Sequence, residues 1–243
     1  MSKSRGNVVG AEEMAQKYGA DTGRLYTLFA APPEKDLEWS EQGIEGCCRF
    51  VNKVFRLVDR HGERLRGVKG GKLDVAAASE KEKALLREAH QTLRRVTNDF
   101  ETRWHFNSAI AQIMELTNEV HAAETHDVRP EARKEVLEML TLMLAPMTPH
   151  LAEELWEMLG HGEGLPRVNW PKFNPELARE EEVEIVVQIN GRVRGRMRVP
   201  AGLAEEEVTR RALQNPGVAA HMDGKRVVKR IVVPDKLVNL VVT

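Results

Sequence analysis

Two stretches carry residues whose type and spacing suit phosphate chemistry. The first is MSKSRGNVVG at residues 1–10, with two glycines (Gly6, Gly10), two cations (Lys3, Arg5) and two hydroxyls (Ser2, Ser4). Glycine permits close backbone approach to a phosphate, and a lysine ammonium can follow charge as it builds on a leaving pyrophosphate. Composition leaves both a functional loop and an ordinary chain start open. The second stretch is GRVRGRMRV, in which Arg192, Arg194, Arg196 and Arg198 take every second position. In a strand that period puts all four side chains on one face, about 7 Å apart, close to the phosphate spacing of a nucleic-acid strand. Val193, Met197 and Val199 then take the other face and pack on a helix, and Glu184 and Gln188 on a neighbouring strand relieve part of the repulsion. Two readings stand: a phosphate-backbone contact surface, or a solvated edge that deters strand pairing.

No catalytic constellation accompanies them. The eight histidines show no metal spacing; His121 and His126 are five apart and fall on different helical faces. Glu153-Glu154 and Glu205-Glu206-Glu207 suit first helical turns, where negative charge complements the helix dipole. Trp39, Trp104, Trp156 and Trp170 read as packing residues. Cys47 and Cys48 are adjacent, which rules out an ordinary intrachain disulfide and a C-x-x-C zinc knuckle; they read as buried helix residues.

The elements that position these residues follow from periodicity. AEEMAQKYGAD has the charge order and trailing Gly19 of a short helix, and DTGRLYTLFAA continues helically to a stop at Pro32-Pro33. From Ser40, the residues Ile44, Cys47, Cys48, Val51, Val54, Phe55 and Val58 form one apolar stripe, with Arg49, Asn52, Lys53 and Arg56 on other faces. Residues 62–77 contain four glycines, lose the period and read as a long loop. Ser79 and Glu82 form a capping box, followed by Leu85, Ala89, Leu93, Val96 and Phe100 on one face. Ile110, Ile113, Leu116 and Val120 mark a further helix, and PEARKEVLEMLTLMLA another with Pro130 in its first turn. Thr148-Pro149 opens the last, threonine as cap and proline at the first helical position. Long amphipathic helices with no strand signal between them predict an antiparallel bundle.

Beyond the proline- and asparagine-rich GLPRVNWPKFNPELA the period becomes two. Val183, Ile185, Val187 and Ile189 alternate, Asn190-Gly191 is a hairpin turn, GLAEEEVTRRALQ is helical, and RVVKRIVVPDKLVNLVV returns to strand around Pro234-Asp235. The predicted architecture is mainly α: connecting helices at 1–35, a bundle at 36–160, a linker at 161–180 and a small α+β domain at 181–243.

Of 243 residues, 42% are hydrophobic and 30% charged, a globular and charge-rich composition with no apolar run long enough for a membrane helix and no secretory leader. A cytoplasmic location is expected. The net charge of −1 is uneven: from Val183 onward eleven Lys and Arg face six Asp and Glu, so that part carries +5 and the rest −6. The basic part is the better partner for a polyanion.

With these features in view, the sequence resembles bacterial-type leucyl-tRNA synthetase. MSKSRGNVV is similar to the end of the class I K-M-S-K-S loop; Met1, Ser2, Lys3 and Ser4 match position by position, and the motif's first lysine would precede Met1. YGADTGRLYTLFAAPPEKDLEWSEQGIEGCCRFVNKVFRLV resembles the passage from catalytic core into the anticodon-binding bundle, with DLEWSEQGIEG its most specific part. APMTPHLAEELW resembles the final bundle helices and VQINGRVRGRMRVP the start of the bacterial C-terminal domain. The resemblance spans essentially the whole chain and only one end of that enzyme, about its C-terminal third. No H-x-G-H motif occurs and no stretch reads as a parallel-sheet nucleotide fold.

The resemblance implies ATP-dependent joining of leucine to tRNA(Leu), with ATP and Mg²⁺ as cofactors of the full-length enzyme and neither bound by this segment alone. Lys3 falls on the lysine that contacts ATP phosphates, and the C-terminal domain falls on the part that reaches the tRNA elbow. The expected partners are tRNA(Leu) and a catalytic half, in cis or as a separate chain, on an otherwise monomeric protein. A free-standing RNA-binding module and one subunit of a split synthetase are the alternatives.

Overall fold

The structure is a computed structural model and describes residues 9–37, 39–68, 75–162, 164–179, 182–222 and 226–243. Met1, Ser2, Lys3 and Ser4 lie outside the described residues. Internal contacts divide the chain into two units, 1–179 and 180–243.

Helix starts in the first unit follow local chemistry. Helices α1 (Ala11–Tyr18) and α2 (Ala20–Ala30) meet at Gly19, whose φ of 89° lies in the region that favours glycine. Helix α3 (Glu41–Arg66) opens on Ser40, whose hydroxyl accepts from Gly43 N. Helix α4 (Glu80–Asn98) opens on the expected capping box, in which Glu82 N donates to Ser79 Oγ and Ser79 N to Glu82 Oε2. Helices α5 (Phe106–Ala122), α6 (Pro130–Leu144) and α7 (Pro149–Met158) complete a helical bundle. Its core includes Ile44, Leu57, Leu93, Ile113, Leu137 and Leu140, all at 0% exposure.

Two local expectations are corrected. Residues 62–66 continue α3 instead of opening a loop, because Gly62 is a packing residue: a Cβ there would lie 3.3 Å from Met158 O of α7. Thr148 does not cap α7, since its hydroxyl donates back to Leu144 O. The cap comes from α2, where the Asp21 carboxylate accepts from Leu151 N at 2.6 Å and meets His150 Nδ1 at 2.8 Å. One turn on, Arg24 donates to Met147 O and Pro146 O, so α2 holds the α6–α7 turn with two charged side chains.

The second unit comprises β1 (Glu182–Ile189), β2 (Arg192–Pro200), α8 (Glu205–Gln214), α9 (Pro216–Ala219), β3 (Val227–Val233) and β4 (Leu237–Val242). Asn190 (φ 48°) and Gly191 (φ 77°) make the hairpin turn between β1 and β2. The sheet order is β2-β1-β4-β3, with β1 and β4 parallel at the centre. Val183, Ile185, Val187, Val238 and Leu240 form the buried face with Val208 and Ala212 of α8. Among the described residues no helix is long and apolar enough to cross a membrane.

Candidate nucleic-acid interface

Helix α3 buries Ile44, Cys47, Phe50, Val54, Leu57, Val58 and Leu65, which leaves its charged positions outward. On that outer side Arg49, Lys53, Arg56 and Arg60 follow at steps of four, three and four, so they share one face of the helix. Together with Tyr18, Glu45, Cys48, Asn52 and His121 they line a groove of about 670 Å³. Residue type alone leaves these four cations undecided between solvent and RNA. Their 4-3-4 spacing is the one signal of the groove present in the sequence; the walls supplied by Tyr18 and His121 come from distant parts of the chain.

Two of the cations are held in place. Lys53 Nζ donates to Asn118 Oδ1 at 2.6 Å, and Arg60 Nη1 pairs with Glu124 Oε2 at 3.3 Å. Glu124 also meets His121 Nδ1 at 2.6 Å and His61 Nε2 at 3.0 Å. Burial, reinforced by the neighbouring Arg133 charge, lowers the His61 pKa despite Glu124, which favours a neutral ring at neutral pH. Arg49 has only a 4.0 Å approach to Glu45. Like charges about 5–6 Å apart on one face repel one another, and a chain of phosphates relieves this at several points at once. The two cysteines separate: Cys47 is buried, its thiol pushed up to about 11 by burial and then by Cys48, whereas Cys48 is half-buried on the groove wall. The expectation of two buried cysteines thus holds for Cys47 and is corrected for Cys48.

The arginine row on β2 is not the single stripe that its period predicts. Val187 pairs with Gly195, but Gln188 pairs with Val193, leaving Arg194 in a β-bulge. Beyond the bulge the faces exchange. Arg196 and Arg198 lie on the outer face opposite Val186 and Glu184, together with Val193, which is 54% exposed instead of packed. Arg192 pairs with Ile189, whose side chain belongs to the buried face. Arg196 Nη1 bonds Glu184 Oε1 at 2.7 Å, as expected for that carboxylate.

The cause of the bulge is α9. Asn215 donates to Arg196 O, a Cβ on Gly195 would lie 2.6 Å from Asn215 Oδ1, and one on Gly217 would lie 2.4 Å from Arg194 O. Gly217→Ala is therefore expected to push on backbone and lower the stability of this unit by about 1–3 kcal/mol. A urea midpoint equal to that of the unsubstituted chain would show that the bulge yields freely.

No group of three or more His, Cys, Asp or Glu is placed to hold a metal ion among the described residues. Of the four tryptophans, Trp39 packs against Tyr26, Trp156 stacks on His161, and Trp170 donates to Thr97 Oγ1. Trp104 departs from the packing expectation and is 63% exposed.

Fold and groove together define a helical unit suited to a polyanion, followed by a small α+β unit with arginines on an edge strand. The family described as the anticodon-binding domain of tRNA ligase matches residues 82–209, just over half of the chain, and the chain belongs to that family. It is 47% identical over 242 residues to a leucine–tRNA ligase of Solibacter usitatus and 46% identical over 245 residues to that of Geotalea daltonii. Both alignments cover 100% of this chain, which spans only 28% and 29% of those relatives. Among solved structures, the LeuRS chain in the ternary LeuRS–tRNA–LeuAMS complex of Agrobacterium radiobacter K84 superposes with a TM-score of 0.78 at 32% identity. That match covers 100% of this chain and 31% of the other. Groove helix α3 precedes the family-matched range, whereas Asn118 and His121 of α5 fall within it.

Proposed function

We propose that this chain is the tRNA-holding C-terminal part of a leucine–tRNA ligase, the ATP-dependent enzyme that joins leucine to tRNA(Leu). The observation that carries this reading is end-to-end similarity to two such ligases at 46–47% identity, on a chain whose α3 presents a row of cations along a groove. In this reading ATP and Mg²⁺ belong to the whole ligase. Lys3, with Met1, Ser2 and Ser4, is the end of a loop that meets ATP phosphates, its ammonium offsetting charge on the departing pyrophosphate. The described helices and sheet contribute RNA binding: the groove in the first unit, and Arg196 and Arg198 on the outer sheet face in the second.

The test is tRNA binding by this chain as a function of salt. Replacing Arg49, Lys53, Arg56 and Arg60 by glutamine should weaken binding and lower the log–log salt slope by about 0.7–0.9 for each phosphate no longer neutralised. On β2, the Arg196→Gln, Arg198→Gln pair should act in the same direction, and the Arg192→Gln, Arg194→Gln pair should have the smaller effect because the bulge turns those positions away. Slopes that stay at the unsubstituted value for both the groove and the Arg196–Arg198 variants would sink the proposal.

A further inference from the structure

Trp104 combines three features with no packing explanation. Its φ of 54° and ψ of 31° put a bulky side chain in the left-handed region, a costly conformation outside glycine. It follows a five-residue π-helical turn, Asp99–Arg103, of a kind that is rare and recurs at functional sites. It is also 63% exposed, whereas the other three tryptophans are packed or hydrogen-bonded into the bundle. The surroundings enforce this conformation. The backbone N–H groups of Trp104 and His105 both donate to Asp99 O. The Asp99 carboxylate, on a residue 3% exposed, accepts from Gln112 Nε2 at 3.1 Å and pairs with Arg103 at 3.5 Å. Phe106 meets the indole edge-on at a centroid distance of 6.1 Å, and Phe100 and Trp170 continue the row of rings behind it. The indole thus contacts an aromatic row on one side and is mostly turned to solvent.

We propose that Trp104 is a stacking platform for an unpaired nucleobase of the RNA bound by the first unit. This inference rests on the tRNA-binding reading above. The local charge selects the mode of contact. Asp99 and Glu101 outnumber Arg103 within the turn, which therefore attracts no phosphate, so what the turn offers RNA is a ring face and not a field. Indole stacks on any base, since every base has a π face, and strain held in place by neighbours is the form that a preorganised contact takes.

The experiment measures binding of this chain to tRNA across a salt series for Trp104→Ala, Trp104→Phe and the four-position groove variant. Trp104→Ala should weaken binding by about five- to 150-fold, the range for removing one base–aromatic stack, with the salt slope unchanged. Trp104→Phe should keep most of the affinity. Adding tRNA should quench tryptophan emission in the unsubstituted chain, whereas a fully paired RNA duplex should not; the quench should disappear in Trp104→Phe. If the groove variant binds as the unsubstituted chain does, RNA binding by the first unit, on which the platform rests, fails. If the groove variant is impaired while Trp104→Ala binds normally, or if Trp104→Ala lowers the salt slope, the platform is overturned and the reading stands. Because Trp104 is exposed and its replacement leaves the buried core intact, a folding defect is not expected; circular dichroism of Trp104→Ala verifies this directly.

Discussion

Glu82→Gln should cost about 1–3 kcal/mol of unfolding free energy, even though glutamine can still serve the capping box. Glu82 is 3% exposed and accepts from four donors beyond its own helix or at its start. These are Ser79 N, Arg129 N, Arg129 Nε at 2.8 Å and Arg129 Nη2 at 3.1 Å. One carboxylate therefore ties the N-terminus of α4 to that of α6. Removing its charge weakens two charge-assisted bonds from a half-exposed guanidinium and leaves the buried carboxyl position with a poorer acceptor for the backbone donors. The Arg129 guanidinium and the backbone donors hold the carboxyl well below the usual range, at about 2 against an ordinary value near 4.5. A depressed carboxylate pKa means that the unfolded chain takes up the proton first. The stabilisation is therefore complete above about pH 4.5 and is lost as the pH falls towards 2. Glu82→Gln should flatten this acid limb in denaturant titrations run from pH 6 to pH 2. A double-mutant cycle with Arg129→Met should show the two effects overlapping; simple additivity would mean that the pair does not act as a unit.

Lys134→Met should be comparably damaging, at about 2–4 kcal/mol. Lys134 is 4% exposed, and its ammonium donates to Leu65 O at 3.2 Å and Val68 O at 2.7 Å, with Glu138 at 3.9 Å. It closes the end of α3 by satisfying carbonyls that a helix terminus leaves without intrahelical partners, a position where the dipole also favours a cation. Methionine fills the volume and supplies no donor, so Val68 O loses the 2.7 Å bond, Leu65 O keeps only its backbone donors at Gly67 and Val68, and Glu138 keeps His161 at 2.7 Å. The expected signature is a lower urea midpoint at unchanged slope, with faster amide exchange in the final turn of α3. A midpoint within error of the unsubstituted chain would assign the closure of α3 to other groups.

Features set by neighbours in sequence are readable without the structure. The Ser79–Glu82 box, Pro130 at the start of α6 and the Asn190-Gly191 turn each depend on a few adjacent residues, and each stands where expected. The bundle and the small sheet unit are readable for a related reason, since burial imposes periods of 3.6 and 2 on the chain. What escapes depends on distant residues meeting. Asp21 caps a helix that begins 128 positions later, a role no local pattern displays. The bulge at Arg194 arises because Gly195, Asn215 and Gly217 come together, and it converts one predicted row of four arginines into two pairs. The groove falls between these cases: its cations are visible on α3 and its walls are not. For Trp104, residue type alone favours packing, and only the geometry of the turn separates it from the other tryptophans.

The central placement of β4 also orders events during synthesis. The β1–β2 hairpin needs only contiguous chain, but the opposite edge of β1 waits for Leu237–Val242, some fifty residues later, to arrive parallel to it. Until then Val186, Val187 and Gln188 lie along a row of unpaired backbone groups, the arrangement most open to pairing with another nascent chain. Closure of this sheet is thus a long-range step that a growing polypeptide reaches late, while the bundle ahead of it can already pack.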